Sequence, residues 1–193
     1  MLTLKGFGLL RHFTTRSKNI VSIQDQFKQQ AAWFEDDWLS RSNVSTDELM
    51  SWVHTCISET GPIESDDIGL DVATGTGIFA RSLVTSGCNK VYGLDATPEM
   101  LAEAQLKCEE DNNITSDQIE LVQGDAANLP FPNDSFDLVT SRLAVHHFSD
   151  PTSILEEMSR VCKPSGRVIV VDIVAPDNDL EAEEIIGLFK SIN

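Results

Sequence analysis

The spacing of hydrophobic and polar positions along this chain changes once, near residue 62. Before that point apolar residues recur at helical spacing. Phe27, Ala31, Phe34 and Trp38 share one stripe of residues 23–38 and predict a helix there. Ser45 followed by Glu48 has the form of a capping box and opens a second helix to about residue 57, which Gly61-Pro62 stops. After that point short apolar runs alternate with helical stretches. Residues 68–73 read as a strand ending in Thr74-Gly75-Thr76-Gly77, followed by a helix over 78–85. Residues 90–94 are a second strand closed by Asp95. Thr97 is the expected cap, and Pro98 the first residue, of a helix to about residue 111. Residues 119–122 and 136–140 are the third and fourth strands. Asp150-Pro151 opens a helix with Ile154, Leu155, Met158 and Val161 on one face. Pro164-Ser165-Gly166 is expected to turn the chain into a fifth strand over 167–174, and residues 180–192 predict a last helix.

Strands alternating with helices predict an α/β fold: a doubly wound, mostly parallel sheet of about five strands with helices on both faces. Ligands of such sheets sit at the carboxyl ends of the strands. The functional positions are therefore Asp71 to Gly77, Asp95, Asp125 and Arg142 to His147.

Composition narrows the function classes. The chain has 193 residues, 31 acidic against 14 basic, and a formal charge of −17. Such a surface repels phosphate backbones and argues against a nucleic-acid partner. No apolar run approaches the roughly 20 residues of a bilayer span. The cysteines, Cys56, Cys88, Cys108 and Cys162, show no Cys-x-x-Cys and no zinc spacing with the histidines, so reduced structural thiols and no metal are expected. Residues 1–20 depart from the rest: Lys5, Arg11, Arg16 and Lys18 occur with hydroxyl residues and no acid, the first acid being Asp25. That is the composition of an organelle import peptide, most simply a mitochondrial one, and a basic tail is the alternative. The expected organisation is an import segment over 1–20, a helical cap over 21–60 and an α/β domain over 61–193.

At the strand ends, Gly75 and Gly77 permit a tight turn and close backbone approach to a ligand, and the helix that follows points free N–H groups at it. Asp71 can accept from a ligand ammonium or orient the loop. Asp95 stands directly after the second strand, 20 residues beyond Gly75, where a carboxylate reaches both hydroxyls of a ribose. Together these spell an adenosine-type cofactor. Gly75-x-Gly77-x-x-Ala80 also satisfies a dinucleotide fingerprint, so a nicotinamide-dependent oxidoreductase stays open. Asp71 weighs against it, since a carboxylate repels a pyrophosphate and attracts the ammonium and sulfonium of S-adenosylmethionine.

Asp71-Val-Ala-Thr-Gly-Thr-Gly77, Gly93-Leu-Asp95, Gly124-Asp-Ala126 and Leu129-Pro-Phe131 resemble successive motifs of class I S-adenosylmethionine-dependent methyltransferases. The similarity is to the type 11 branch, related to quinone-ring methyltransferases. Phe136-Asp-Leu-Val139, His146-His-Phe148 and Val161-Cys-Lys-Pro-Ser-Gly166 extend it over about residues 24–175. The resemblance implies that Asp71, Ala73, Gly75 and Gly77 border the methionine moiety. It also implies that Asp95 and Ala96 hold the ribose, that Met100 lies against the adenine, and that Asp125 and Ala126 meet its amino edge. Ala73 stands where the family often has its first loop glycine.

Residues 141–147 would then face the transferred methyl. His146 or His147 is a candidate base for the acceptor, and Arg142 a candidate for a substrate anion. The N-terminal helix, with Trp33, Phe34 and Trp38, is expected to close over the cofactor or simply to pack as core. The family's sheet continues with two more strands, whereas this chain stops at Asn193. A C-terminally truncated form is therefore expected, with cofactor loops intact, part of the substrate wall missing, and an open sheet edge that invites oligomerisation. The expected function is direct methyl transfer to a small molecule. A non-catalytic cofactor-binding remnant and the oxidoreductase are its rivals.

Overall fold

A computed structural model describes residues 25, 27–33 and 45–172. The first helix, α1, is Thr46–Ser58. It starts as the sequence predicts: Ser45 N–H and Oγ both donate to Glu48 Oε2, at 2.9 and 2.8 Å, and Glu48 N–H returns to Ser45 Oγ at 3.2 Å. Ahead of it, residues 27–30 are helical and pass into a 3-10 turn, Ala31–Trp33. The regular helix expected through these last three residues is thus tighter than expected. Phe34, Trp38, residues 173–174 and the expected helix over 180–192 lie outside the described residues.

Five strands follow: β1 Ile68–Val72, β2 Lys90–Asp95, β3 Ile119–Gln123, β4 Phe136–Arg142 and β5 Cys162–Val171. All pair in parallel, in the order β3-β2-β1-β4-β5. Helices α2 (Ile78–Thr85), α3 (Pro98–Glu110) and α4 (Pro151–Val161) are the crossovers. The sheet reverses its winding between β1 and β4, so the crevice for a ligand opens above these two strands. β1 is central, and four of its five residues are buried, which is why it reads as an apolar run rather than an alternation.

Apolar cores fill both faces. On one, α1 lies outside α2, and Val53, Ile57, Phe79 and Leu83 pack with Val91 and Leu138. This second layer explains why α2 is buried along almost its whole length, with Ser82 and Arg81 included. On the other face Ile154, Met158 and Val161 of α4 pack on Leu70, Val72 and Val139, the face that their helical spacing predicts.

Two local expectations are corrected. Thr97 occupies the N-cap of α3, but its side chain caps nothing. Met100 N–H, which that side chain would have taken, donates to the Thr97 carbonyl instead, at 3.1 Å, while Thr97 N–H donates to the Asp95 carboxylate at 2.9 Å. Pro164-Ser165-Gly166 is not a turn before the strand. β5 begins at Cys162, and the register slips between Phe136↔Cys162 and Leu138↔Arg167, so residues 163–166 bulge from the ladder. Only glycine fits at the close crossing, since a Cβ on Gly166 would lie 2.7 Å from the Asp137 carbonyl oxygen. Lys163 Nζ meets the Asp137 carboxylate at 2.8 Å, and that carboxylate also accepts Ile68 N–H at 3.0 Å, locking the bulge to the start of β1.

Candidate functional site

The carboxyl ends of β1, β2, β3 and β4 surround a cavity of about 300 Å³. Its floor is the turn after β1. Ala73 and Gly75 adopt left-handed backbone, φ 57° and 55°, and Gly77 at φ 81° begins α2. Thr74 N–H donates to the Leu94 carbonyl at 2.9 Å, tying the turn to β2. Nothing stands within 4 Å of a Cβ built on Gly75, so that side of the turn opens to the cavity.

Asp71 is the most buried charged group of the site, 2% exposed. Its Oδ2 accepts the Thr74 hydroxyl at 2.6 Å and its Oδ1 the Thr140 hydroxyl at 2.8 Å. Burial pushes its pKa up to about 6, against the two hydroxyls and the Arg142 charge, which pull it down. Both oxygens thus hold hydroxyls, one of the loop and one of β4. Asp95 Oδ2 accepts Gly75 N–H at 2.9 Å and Oδ1 accepts Thr97 N–H at 2.9 Å. Burial raises its pKa, opposed chiefly by these amides. The Thr97 hydroxyl and Ala96 N–H also favour its ionised form. Asp125 is exposed; its Oδ1 closes a turn on Ala127 N–H at 2.9 Å.

Among the residues singled out from sequence, Asp71, Ala73, Gly75, Asp95, Ala96, Met100, Asp125, Ala126, Arg142 and His147 line the cavity. Gly77 and His146 do not. Gly77 sits behind the wall, where a Cβ would meet Ala104 Cβ at 3.3 Å. His146 turns to Asp172, with Nδ1 to Oδ1 at 2.5 Å. The histidines occupy a 3-10 turn, Val145–His147, entered through Leu143 at φ 50°. The His147 ring centre lies 3.9 Å from that of His146, with the rings tilted by 42°, and 5.1 Å from that of Phe27 in a T-shaped contact.

Thr74 and Leu143, within the strand-end segments expected to be functional, line the cavity too; Phe27, Phe148, Ser153 and Ile154 also line it and were not anticipated as site residues. The last two had a signal: Asp150 caps α4 through Thr152 and Ser153 N–H, which directs the helix start at the strand ends. Among the described residues no three His, Cys, Asp or Glu side chains converge on a metal-sized site. None of the described helices is long and apolar enough to cross a membrane. None of the four cysteines is in a disulfide.

Comparison with known proteins adds an independent line. A family model described as a methyltransferase domain matches residues 70–170. The uncharacterized methyltransferase YcgJ of Bacillus subtilis is 38% identical over 109 residues, 56% of this chain and 42% of its own. Its crystal structure aligns with a TM-score of 0.61 at 33% identity, covering 70% of this chain and 56% of YcgJ. The demethylmenaquinone methyltransferase of Oceanobacillus iheyensis is 36% identical over 116 residues, 59% of this chain and 48% of its own. A SAM-dependent methyltransferase of Aquifex aeolicus aligns with a TM-score of 0.57 at 26% identity, covering 73% of this chain and 78% of that one. The chain spans about half the length of the curated relatives it matches.

Proposed function

The chain belongs to the methyltransferase domain family, and on that premise we propose that it binds S-adenosylmethionine in the cavity above β1 and β4 and methylates a small-molecule acceptor. The observation that carries this reading is the hydrogen bond from Gly75 N–H to Asp95 Oδ2 at 2.9 Å. A dinucleotide would need the amides of that turn for its pyrophosphate. Here one amide already serves a carboxylate, with Asp71 and Asp125 on the same wall. Among the described residues lining the cavity, Arg142 is the one Lys or Arg. Such a set favours a cationic nucleoside rich in hydroxyls over a diphosphate.

In this reading Asp95 holds the ribose hydroxyls, Met100 lies against the base, Asp125 and Ala126 meet the adenine edge, and Asp71, Ala73 and Gly75 border the methionine end. When bound, the cofactor supplies an electrophilic methyl group on a sulfonium. Phe27, Leu143 and Phe148 keep water from the acceptor. His147 takes the proton that the acceptor's attacking oxygen, nitrogen or carbon releases, and Arg142 attracts an acidic group on it. Relatives named demethylmenaquinone methyltransferase favour a quinone-class ring as that acceptor.

Calorimetric titration of the full chain with S-adenosylhomocysteine, and separately with NADH, tests this. One-to-one binding of the first, lost in Asp95→Ala, is expected. Binding of NADH alone by folded protein would overturn the reading in favour of an oxidoreductase.

We also infer that residues 1–20 direct import into mitochondria, because four basic residues and no acid occur there in an otherwise acidic chain. Residues 21–60 act as the cap, a role supported by Phe27 on the cavity wall. A fluorescent reporter fused behind residues 1–20 should enter mitochondria; a diffuse cytosolic signal would overturn the import role.

A further inference from the structure

We propose that Glu157 and Arg160 on α4 form a clasp that positions the loop over residues 125–128 and so sets the site's preference for a 6-amino purine. The inference rests on the cofactor reading above. The segment between β3 and β4 has no regular structure, yet it carries Asp125, Ala126 and Ala127 into the cavity wall. Backbone without a helix or ladder of its own must be held from outside.

Two posts hold it. The first is Gly124, whose N–H donates to the Asp95 carbonyl at 3.0 Å. The second is Leu129, and Glu157 and Arg160 take both of its backbone groups. Its N–H donates to Glu157 Oε2 at 2.8 Å, and its carbonyl accepts from Arg160 Nη2 at 3.0 Å. Arg160 Nη1 reaches on to the Phe131 carbonyl and to Asn133 Oδ1, each at 2.9 Å. The two side chains are themselves joined as a fork, Nε to Oε1 at 2.6 Å and Nη2 to Oε2 at 2.7 Å. The Leu129 side chain is buried at 3% exposure, so the post cannot swing outward without emptying the core beside Met158 and Val161.

Between the posts Asp125 closes a turn on itself. Its Oδ1 accepts Ala127 N–H, and its carbonyl accepts Asn128 N–H at 3.1 Å. The carboxylate can aim at a ligand amino group only as well as the posts are spaced. A guanidinium suits this task, because its planar fork serves a carboxylate and several carbonyl acceptors together; an ammonium at the same place is a point charge. Arg160 and Glu157 touch no ligand in this arrangement and are positioning residues.

The test compares binding of S-adenosylhomocysteine with its 6-oxo analogue, S-inosylhomocysteine, to the full chain and to Arg160→Lys and Glu157→Gln. Circular dichroism verifies folding. Arg167→Lys, which alters a different guanidinium-to-carbonyl tie at Gly61 and Pro62, is the control. Either clasp variant should weaken S-adenosylhomocysteine binding about tenfold, the scale of one charge-assisted hydrogen bond. It should also erase most of the preference over the inosine analogue, while the control keeps that preference. General loosening of the fold would not change the ratio. A wild-type preference retained in both folded clasp variants overturns the clasp. Absence of S-adenosylhomocysteine binding by wild type overturns the cofactor reading itself, and the clasp's role with it.

Discussion

Asp172 holds His146 from two sides: its Oδ1 lies 2.5 Å from ring Nδ1, and its Oδ2 accepts the His146 backbone N–H at 3.1 Å. The contact ties the 3-10 turn after β4 to the end of β5 and separates the roles of two adjacent histidines. His147 faces the cavity, and His146 anchors the turn that presents it. Base catalysis contributes about 10²–10⁴-fold where it operates. His147→Ala should therefore lower the rate of methyl transfer at least about tenfold more than His146→Ala, measured with radiolabelled cofactor. Asp172→Ala should cost about 1–2 kcal/mol, from two donors left without their charged partner, and urea unfolding checks this.

Asp71 predicts a pH dependence. Burial raises its pKa to about 6 in the folded chain, above its ordinary 3.8. The folded state thus binds the proton more tightly than the unfolded state. The stabilisation this brings is complete below about pH 4 and is lost as pH rises through about 6. At pH 7 the buried carboxylate is ionised at a cost. Asp71→Asn should then raise stability by on the order of 1–3 kcal/mol at pH 7 and flatten the change between pH 4 and 6. In the wild type, the proposed binding of a cationic cofactor should weaken below pH 6 as the cavity wall loses the negative charge of Asp71. Denaturant titrations and calorimetry at pH 5 and 7 measure both.

Ala73 sits at φ 57° in the turn after β1. A left-handed backbone costs a residue with a Cβ about 1–2 kcal/mol, offset in part by the extra unfolded-state entropy of glycine. Ala73→Gly should raise stability by about 0.5–1 kcal/mol, seen as a higher melting temperature, with cofactor binding kept.

Gly77 answers to both backbone and space. It lies at φ 81°, and a Cβ there would press on Ala104 Cβ at 3.3 Å. Gly77→Ala should cost about 2 kcal/mol in urea unfolding. Since Gly77 does not line the cavity, the folded fraction should still bind S-adenosylhomocysteine within about threefold of wild type, as a fold-only role requires.

Much of this architecture was legible because its causes act within a few residues. Ser45 and Glu48 meet three positions apart, and Asp150 caps α4 from the adjoining position. Helical spacing picks out the buried face of Ile154, Met158 and Val161. The glycine turn and Asp95 come together because β1 and β2 pair in register, Val72 beside Leu94. Short apolar runs separated by helices allow little but a parallel sheet.

Other features depend on parts of the chain that no local pattern connects. Thr140 reaches Asp71 across 69 residues, because β4 inserts beside β1. Glu157 holds Leu129 from 28 residues away. Phe27 arrives at His147 from outside the sheet. Which histidine of the adjacent pair faces the cavity was undetermined, since a 3-10 turn three residues long shows no repeat from which to read a face. The sequence by itself determined the elements, the sheet and the acidic strand ends, because propensity, capping and hydrophobic period are short-range. Only the tertiary structure decided how those ends are oriented and held, because that depends on pairing and burial between distant segments.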